Sequence, residues 1–174
     1  MRKVFVTGIG TDVGKTIIAA ILTEALQADY WKPIQCGSLE LTDTERVKRL
    51  VESKQSYFHS EAYLLGTPAS PHYAAEVEDK KIHWGRLKVP ETENTLVIEG
   101  AGGILVPFNY KGESMLDMAK NWDAEVVIVS RNYLGSINHT LLTLKVLMDS
   151  GVKVLGIIFN GEENPSSEEV ILKA

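Results

Sequence analysis

The sequence predicts an α/β fold built on a mostly parallel β-sheet with helices on both faces. Three observations predict it. Short apolar runs at residues 4–6, 96–98, 126–129 and 154–159 are nearly continuous, as in strands covered on both faces. Stretches of helical periodicity lie between them, and the first run leads through a glycine-rich turn into a helix. Strand and helix alternate, so the crossovers should be right-handed. At 174 residues, with 44% hydrophobic and 24% charged side chains, the chain suits a single globular domain.

The elements follow in order. After the strand at residues 4–6, a helix is predicted over 16–26, where Ile17-Ile18-Ala19-Ala20-Ile21-Leu22 is strongly apolar. Tyr30-Trp31-Lys32-Pro33-Ile34 reads as a short second strand brought to an end by Pro33. A helix over 44–51 comes next. Residues 54–95 carry Pro68, Pro71 and Pro90, scattered charges and weak periodicity, which predicts loops with one helix around residues 84–87. Helices are then predicted over 114–120 and 138–148, the second with a broad apolar side from Leu141, Leu142, Leu144, Val146 and Leu147. The last strand runs into Asn160-Gly161 and a few helix-prone residues that stop at Ala174. A final helix with no strand to return to predicts a nucleotide-binding domain that lacks a C-terminal segment.

Composition narrows the function. A formal net charge of −5 disfavours broad contact with nucleic acid or anionic lipid, which are bound through clustered Lys and Arg. The single cysteine, Cys36, has no partner for an internal disulfide, in keeping with a reducing compartment. No run reaches the roughly 18 apolar residues of a membrane span, and Met-Arg-Lys leads at once into a strand, so a cytoplasmic protein is expected.

Thr7-Gly8-Ile9-Gly10-Thr11-Asp12-Val13-Gly14-Lys15-Thr16 has the layout of a phosphate-binding loop. Backbone N–H groups at the turn and the helix start face one concavity, Lys15 brings a positive charge, and the Thr16 hydroxyl suits Mg²⁺. The loop is a variant. The strict pattern puts glycine at position 9, whereas this chain has Ile9 between Gly8 and Gly10.

Other residues at strand ends can converge on that loop. Lys32 follows Tyr30-Trp31 directly and is read either as a surface lysine or as a second cation for a transferring phosphoryl group. Glu99 closes the run Leu96-Val97-Ile98 and opens Gly100-Ala101-Gly102-Gly103, a fitting place for a Mg²⁺ ligand. Asp43 begins a helix, as an N-cap or as a second carboxylate near the metal. Leu134-Gly135-Ser136-Ile137-Asn138-His139-Thr140 makes another helix start, suited equally to capping and to holding a carboxylate. The histidines at 59, 72, 83 and 139 show no metal-ligand spacing.

Together these residues resemble the dethiobiotin synthetase family, P-loop NTPase-like enzymes that close the ring of the biotin precursor with ATP. The similarity rests on the loop through Thr16, Lys32-Pro33-Ile34-Gln35 with Gly37, Ser70-Pro71-His72, Glu99-Gly100-Ala101-Gly102-Gly103, and Leu134 through Thr140. The resemblance implies Lys32 and Lys15 as catalytic lysines. It implies ATP contacts from Thr11, Asp12, Val13, Gly14, Lys15, Thr16 and Ile17, joined by Asp43, Glu99, Gly100, Ala101 and Gly102. Asn160 and Gly161 fall at the adenine, and Thr16, Asp43 and Glu99 at Mg²⁺. Cys36, where the family commonly has serine or threonine, and Gly135, Ser136, Ile137 and Asn138 fall at the substrate. The last four would reach the substrate carboxylate of a neighbouring subunit, since family members are homodimers.

The implied reaction takes 7,8-diaminononanoate, CO₂ and ATP to dethiobiotin, ADP and phosphate, through a carbamate and a carbamic–phosphoric anhydride. The alternative is a nucleotide-switched, partner-binding ATPase of the partitioning type. Loops of that type carry a further lysine five residues before the one equivalent to Lys15, and here that position is Gly10.

Overall fold

The computed structural model describes residues 1–174. Six strands, β1 (Lys3–Gly8), β2 (Asp29–Trp31), β4 (Phe58–His59), β6 (Leu96–Gly103), β7 (Glu125–Arg131) and β8 (Val154–Asn160), form one sheet in the order β4-β2-β6-β1-β7-β8. Every pair in it is parallel. Two short strands, β3 (Ile34–Cys36) and β5 (Tyr63–Leu65), make a separate parallel pair. The helices are α1 (Lys15–Ala25), α2 (Asp43–Leu50), α3 (Pro71–Val77), α4 (Met115–Asn121), α5 (Ser136–Asp149) and α6 (Pro165–Lys173).

Strand order fixes where the helices go. The crossover from β1 through α1 to β2 runs toward one edge of the sheet, while those from β6 through α4 and from β7 through α5 run toward the other. Right-handed crossovers therefore place α1 on one face and α4 and α5 on the opposite one. In keeping with this, α1 packs on α2, and α5 on α6. Between neighbouring β1 and β6 the chain leaves in opposite directions, and the carboxyl ends of such a strand pair open the crevice where ligands bind.

The core is one contiguous apolar cluster. Val4, Phe5, Val6, Leu96, Val97, Ile98, Val126 and Ile128 are at most 1% exposed, as continuous apolar strands under two helical layers require. Trp122 gathers Trp31 at 5.2 Å and Phe5 and Trp84 at 6.3 Å between ring centroids, and Phe108 meets Trp84 edge-on at 5.1 Å. Full burial of a side chain such as Phe5 or Phe108 contributes about 1.5–3 kcal/mol. β8 departs from expectation: Leu155 is 38% exposed, because β8 is an edge strand paired only with β7.

Four local expectations are corrected. The second strand stops at Trp31, and the chain crosses at Lys32-Pro33 into the minor sheet, where the Pro33 carbonyl accepts from the Ala62 and Tyr63 N–H groups, both at 3.0 Å. Residues 54–95 hold β4, β5 and α3, while residues 84–87 form only a turn. The Trp84 indole packs into the aromatic cluster and donates to Glu113 at 2.7 Å, so it anchors a turn instead of facing a helix stripe. Asp43 is the first residue of α2 and not its cap: Thr42 and Glu45 form a reciprocal capping box, leaving the Asp43 carboxylate free to face the crevice. Glu99 lies inside β6, which continues to Gly103. No helix is long and apolar enough to cross a membrane.

Candidate active site

The phosphate loop joins β1 to α1. A Cβ on Gly8 would stand 2.6 Å from Val13 Cγ2 and 2.8 Å from the Gly10 carbonyl, so only glycine lets the loop fold back over the strand end. Ile9 points instead to the core, 9% exposed, and its N–H donates to Val129 O at 3.1 Å. That explains the variant spacing, since Gly8 makes the close approach and Ile9 anchors the loop. Gly14 sits at φ 94° as the N-cap of α1, and a Cβ there would fall 2.0 Å from Asn160 Nδ2. No side chain caps α1, so its first N–H groups face the crevice as an anion site.

The charged residues expected at strand ends meet here. Lys32 Nζ lies 2.8 Å from Asp43 Oδ2 and 3.0 Å from Glu99 Oε1, and also donates to Gly100 O at 3.2 Å. Thr16 Oγ1 donates to Glu99 Oε1 at 2.9 Å, and Lys15 Nζ to Gly10 O at 2.9 Å. Lys32, Lys15 and Glu99 are all under 10% exposed. A lysine with a surface role would not be fixed between two carboxylates.

Burial and then the neighbouring Lys32 charge lower the Lys15 ammonium to about 8, against the pull of Glu99 and Asp43. Burial also acts to lower Lys32, but the Glu99 and Asp43 charges outweigh it and raise its pKa. For Asp43 burial pushes upward, and the Lys32 charge and hydrogen bond with that from Thr16 bring the net shift below the ordinary carboxylate range. Lys32 is thus held as a cation and Asp43 as an anion at neutral pH. Burial raises the Cys36 thiol to about 11, so it stays protonated and serves as a small neutral wall group.

No group of three His, Cys, Asp or Glu side chains makes a metal cage. The Thr16 hydroxyl with the Asp43 and Glu99 carboxylates is instead a sparse set of hard oxygens, the type that holds Mg²⁺ when phosphate oxygens and water complete its shell.

A cleft of about 670 Å³ opens over these groups. Thr11, Asp12 and Gly14 of the loop line it together with Ala101, Gly102 and Val106, and Ile34, Cys36, Pro68, Ala69 and Pro71 add an apolar stretch of wall. Val13 is buried beneath the loop, Gly100 lies under Lys32, and Ile17 faces outward on α1 at 48% exposure. Asn160 Nδ2 donates to Val13 O at 2.9 Å, with Gly161 following at the end of β8. Gly135, Ser136, Ile137 and Asn138 are not brought to this cleft within one chain; they start α5, with Leu134 fully exposed before them.

Three participants escaped sequence reasoning. Tyr30 donates to Glu99 Oε2 at 2.8 Å, Gln35 Oε1 accepts the Asp43 N–H at 3.1 Å, and Arg131 Nη1 donates to Asp12 O at 3.3 Å. Gln35 stands in the Lys-Pro-Ile-Gln motif, a signal that was legible. Tyr30 and Arg131 act on residues 69 and 119 positions away, and nothing local marks them.

A parallel sheet with a glycine loop at its switch point, two buried lysines and a hydroxyl–carboxylate set define a P-loop nucleotide-binding protein built for phosphoryl chemistry. The family described as "AAA domain" matches residues 2–174. The "ATP-dependent dethiobiotin synthetase BioD" of Christiangramia forsetii is 53% identical over 99% of this chain and 82% of its own length. That of Cytophaga hutchinsonii is 51% identical over 99% and 84%, and that of Paramagnetospirillum magneticum 47% over 98% and 82%. The chain belongs to the dethiobiotin synthetase family.

Proposed function

We propose that this chain catalyses the ATP-dependent closure of 7,8-diaminononanoate with CO₂ to dethiobiotin, a ligase step of biotin biosynthesis, in the cytoplasm. The observation that carries the reading is the meeting of Lys15, Lys32, Thr16, Asp43 and Glu99 at one sheet edge, on a chain half identical to named synthetases.

One substrate amine adds to CO₂ and loses a proton, giving a carbamate. A carbamate oxygen takes the γ-phosphoryl group and releases ADP. The second amine then attacks the carbonyl carbon, phosphate leaves, and the cyclic urea closes. Placement and charge neutralisation are the protein's share. The loop from Thr11 to Thr16 and Ile17 wraps the phosphates through its N–H groups, with Lys15 on the outer oxygens. Lys32 stands where an ammonium can follow charge onto the moving phosphoryl oxygens. Thr16, Asp43 and Glu99 would hold Mg²⁺, which when bound neutralises phosphate charge. Gly100, Ala101 and Gly102 bring backbone close to the nucleotide, and Asn160 and Gly161 reach the adenine.

The apolar wall at Ile34, Pro68, Ala69 and Pro71 suits the substrate's alkyl chain, with Cys36 beside it. Gly135, Ser136, Ile137 and Asn138 reach the carboxylate bound by a second copy of the chain, which makes the working form a homodimer. Their place outside the cleft, and the exposure of Leu134, Ile17 and Ile21, support this.

Phosphate release that requires both diaminononanoate and bicarbonate, with dethiobiotin identified by mass spectrometry, is the expected outcome. ATP hydrolysis indifferent to the diamine refutes the assignment.

A further inference from the structure

Glu99 carries two oxygens with separate surroundings. Oε1 faces the loop, accepting from Thr16 and Lys32, whereas Oε2 accepts only from the Tyr30 hydroxyl at 2.8 Å. The sheet imposes this pairing. Tyr30 on β2 is in register with Val97 on β6, so its side chain shares a face with Val97 and with Glu99 two residues on. The ring is fully buried and packs near Phe58 at 6.4 Å between centroids, which leaves the phenol no other place to turn.

We propose that Tyr30 is a positioning residue for Glu99, holding Oε2 so that the carboxylate offers a single oxygen, Oε1, to a divalent metal. This rests on the reading of Glu99 as part of the Mg²⁺ site. Mg²⁺ demands near-octahedral geometry and keeps most of its water, so a carboxylate that swings or chelates through both oxygens is a poorer ligand than a fixed one-oxygen donor. A phenol behind the carboxylate fixes its rotation without competing for the metal side. The other role a buried hydroxyl can have is to satisfy a buried acceptor, and the two roles separate in experiment.

Tyr30→Phe keeps the ring and removes one oxygen. Manganese binding in the presence of a non-hydrolysable ATP analogue, followed by electron paramagnetic resonance well below the melting temperature, is expected to weaken about tenfold or more, as for other groups that orient a metal ligand. The Mg²⁺ concentration for half-maximal turnover should rise in step, and turnover should recover at saturating Mg²⁺. In a Glu99→Gln background the same substitution should add nothing. A lower melting temperature with unchanged manganese affinity overturns the positioning role while leaving the Mg²⁺ site intact. Unchanged manganese affinity in Glu99→Gln itself removes Glu99 from the metal site, and the proposal with it. A crystal of the unaltered protein with manganese and the analogue supplies a test that needs no variant: metal on Oε1 with Tyr30 still on Oε2 supports the inference, and metal on both oxygens refutes it.

Discussion

Replacing Lys32 with alanine is the sharpest test of the site. The substitution removes an ammonium that lies 2.8 Å from Asp43, 3.0 Å from Glu99 and 3.2 Å from the Gly100 carbonyl. Two consequences differ in size and in readout. Glu99 is 1% exposed, and leaving it beside Asp43 without a counter-charge should cost about 3–5 kcal/mol of stability. Loss of a preorganised cation at the transferring phosphoryl should raise the barrier by about 3 kcal/mol, on the order of 10²-fold in turnover. Phosphate release at saturating ATP, bicarbonate and diamine measures the second effect, and thermal denaturation the first. Mg²⁺ can replace the missing charge between the carboxylates but not its place at the γ-phosphate. The Lys32→Ala protein should therefore gain more melting temperature from Mg²⁺ than the unaltered protein, without regaining turnover. Near-unaltered phosphate release at saturation would refute the role of Lys32, and stability indifferent to both substitution and metal would refute the electrostatic account.

Lys15 titrates near 8 in the free protein, and a phosphate favours its charged form, so ATP binding near and above pH 8 should take up a proton and weaken as pH rises. Calorimetry in two buffers of different ionisation heat measures the uptake; none near pH 8 contradicts the assignment. Gly14→Ala should weaken ATP binding through about 1–2 kcal/mol of backbone strain and through the displacement of Asn160, whose amide nitrogen fills the Cβ position. In an Asn160→Ala background, where the clash and the adenine contact are both already gone, adding Gly14→Ala should still weaken ATP binding in equilibrium dialysis, and no further loss would refute the backbone term. Arg131→Ala removes a long, exposed hydrogen bond to the Asp12 carbonyl and should raise the KM for ATP by no more than about fivefold, corresponding to roughly 1 kcal/mol. A larger effect would mean that the guanidinium touches the nucleotide itself.

The central strands were legible because β1, β6 and β7 are covered by helices on both sides, and continuous apolar runs such as Val126–Val129 are the direct record of that burial. The phosphate loop was legible because its function needs a local string of glycines and a lysine. Residues 54–95 were not. β4 has two residues and β5 three, too few for a periodicity, and α3 buries Pro71, Ala74 and Ala75, small side chains that write no apolar stripe. The capping box Thr42-Asp43-Thr44-Glu45 was present as a pattern and would have placed Asp43 correctly inside the helix. Tyr30 was hidden for another reason: its partner is fixed by strand register across β2 and β6, information that no window around residue 30 contains.

The dipeptide Lys32-Pro33 is the place where the chain changes sheets, with its proline carbonyl clasped by the N–H groups of Ala62 and Tyr63 at the start of β5. Upstream lies the rigid central layer with Tyr30 and Trp31; downstream lies a two-stranded flap carrying Gln35 and Cys36 along the cleft. The Lys32 ammonium therefore rides on a seam, not on either part. A change at Ile34 or Cys36 would reshape the cleft wall and leave the Lys32 backbone in place, whereas a change at Gln35 would reach Lys32 through Asp43, whose N–H it accepts at 3.1 Å.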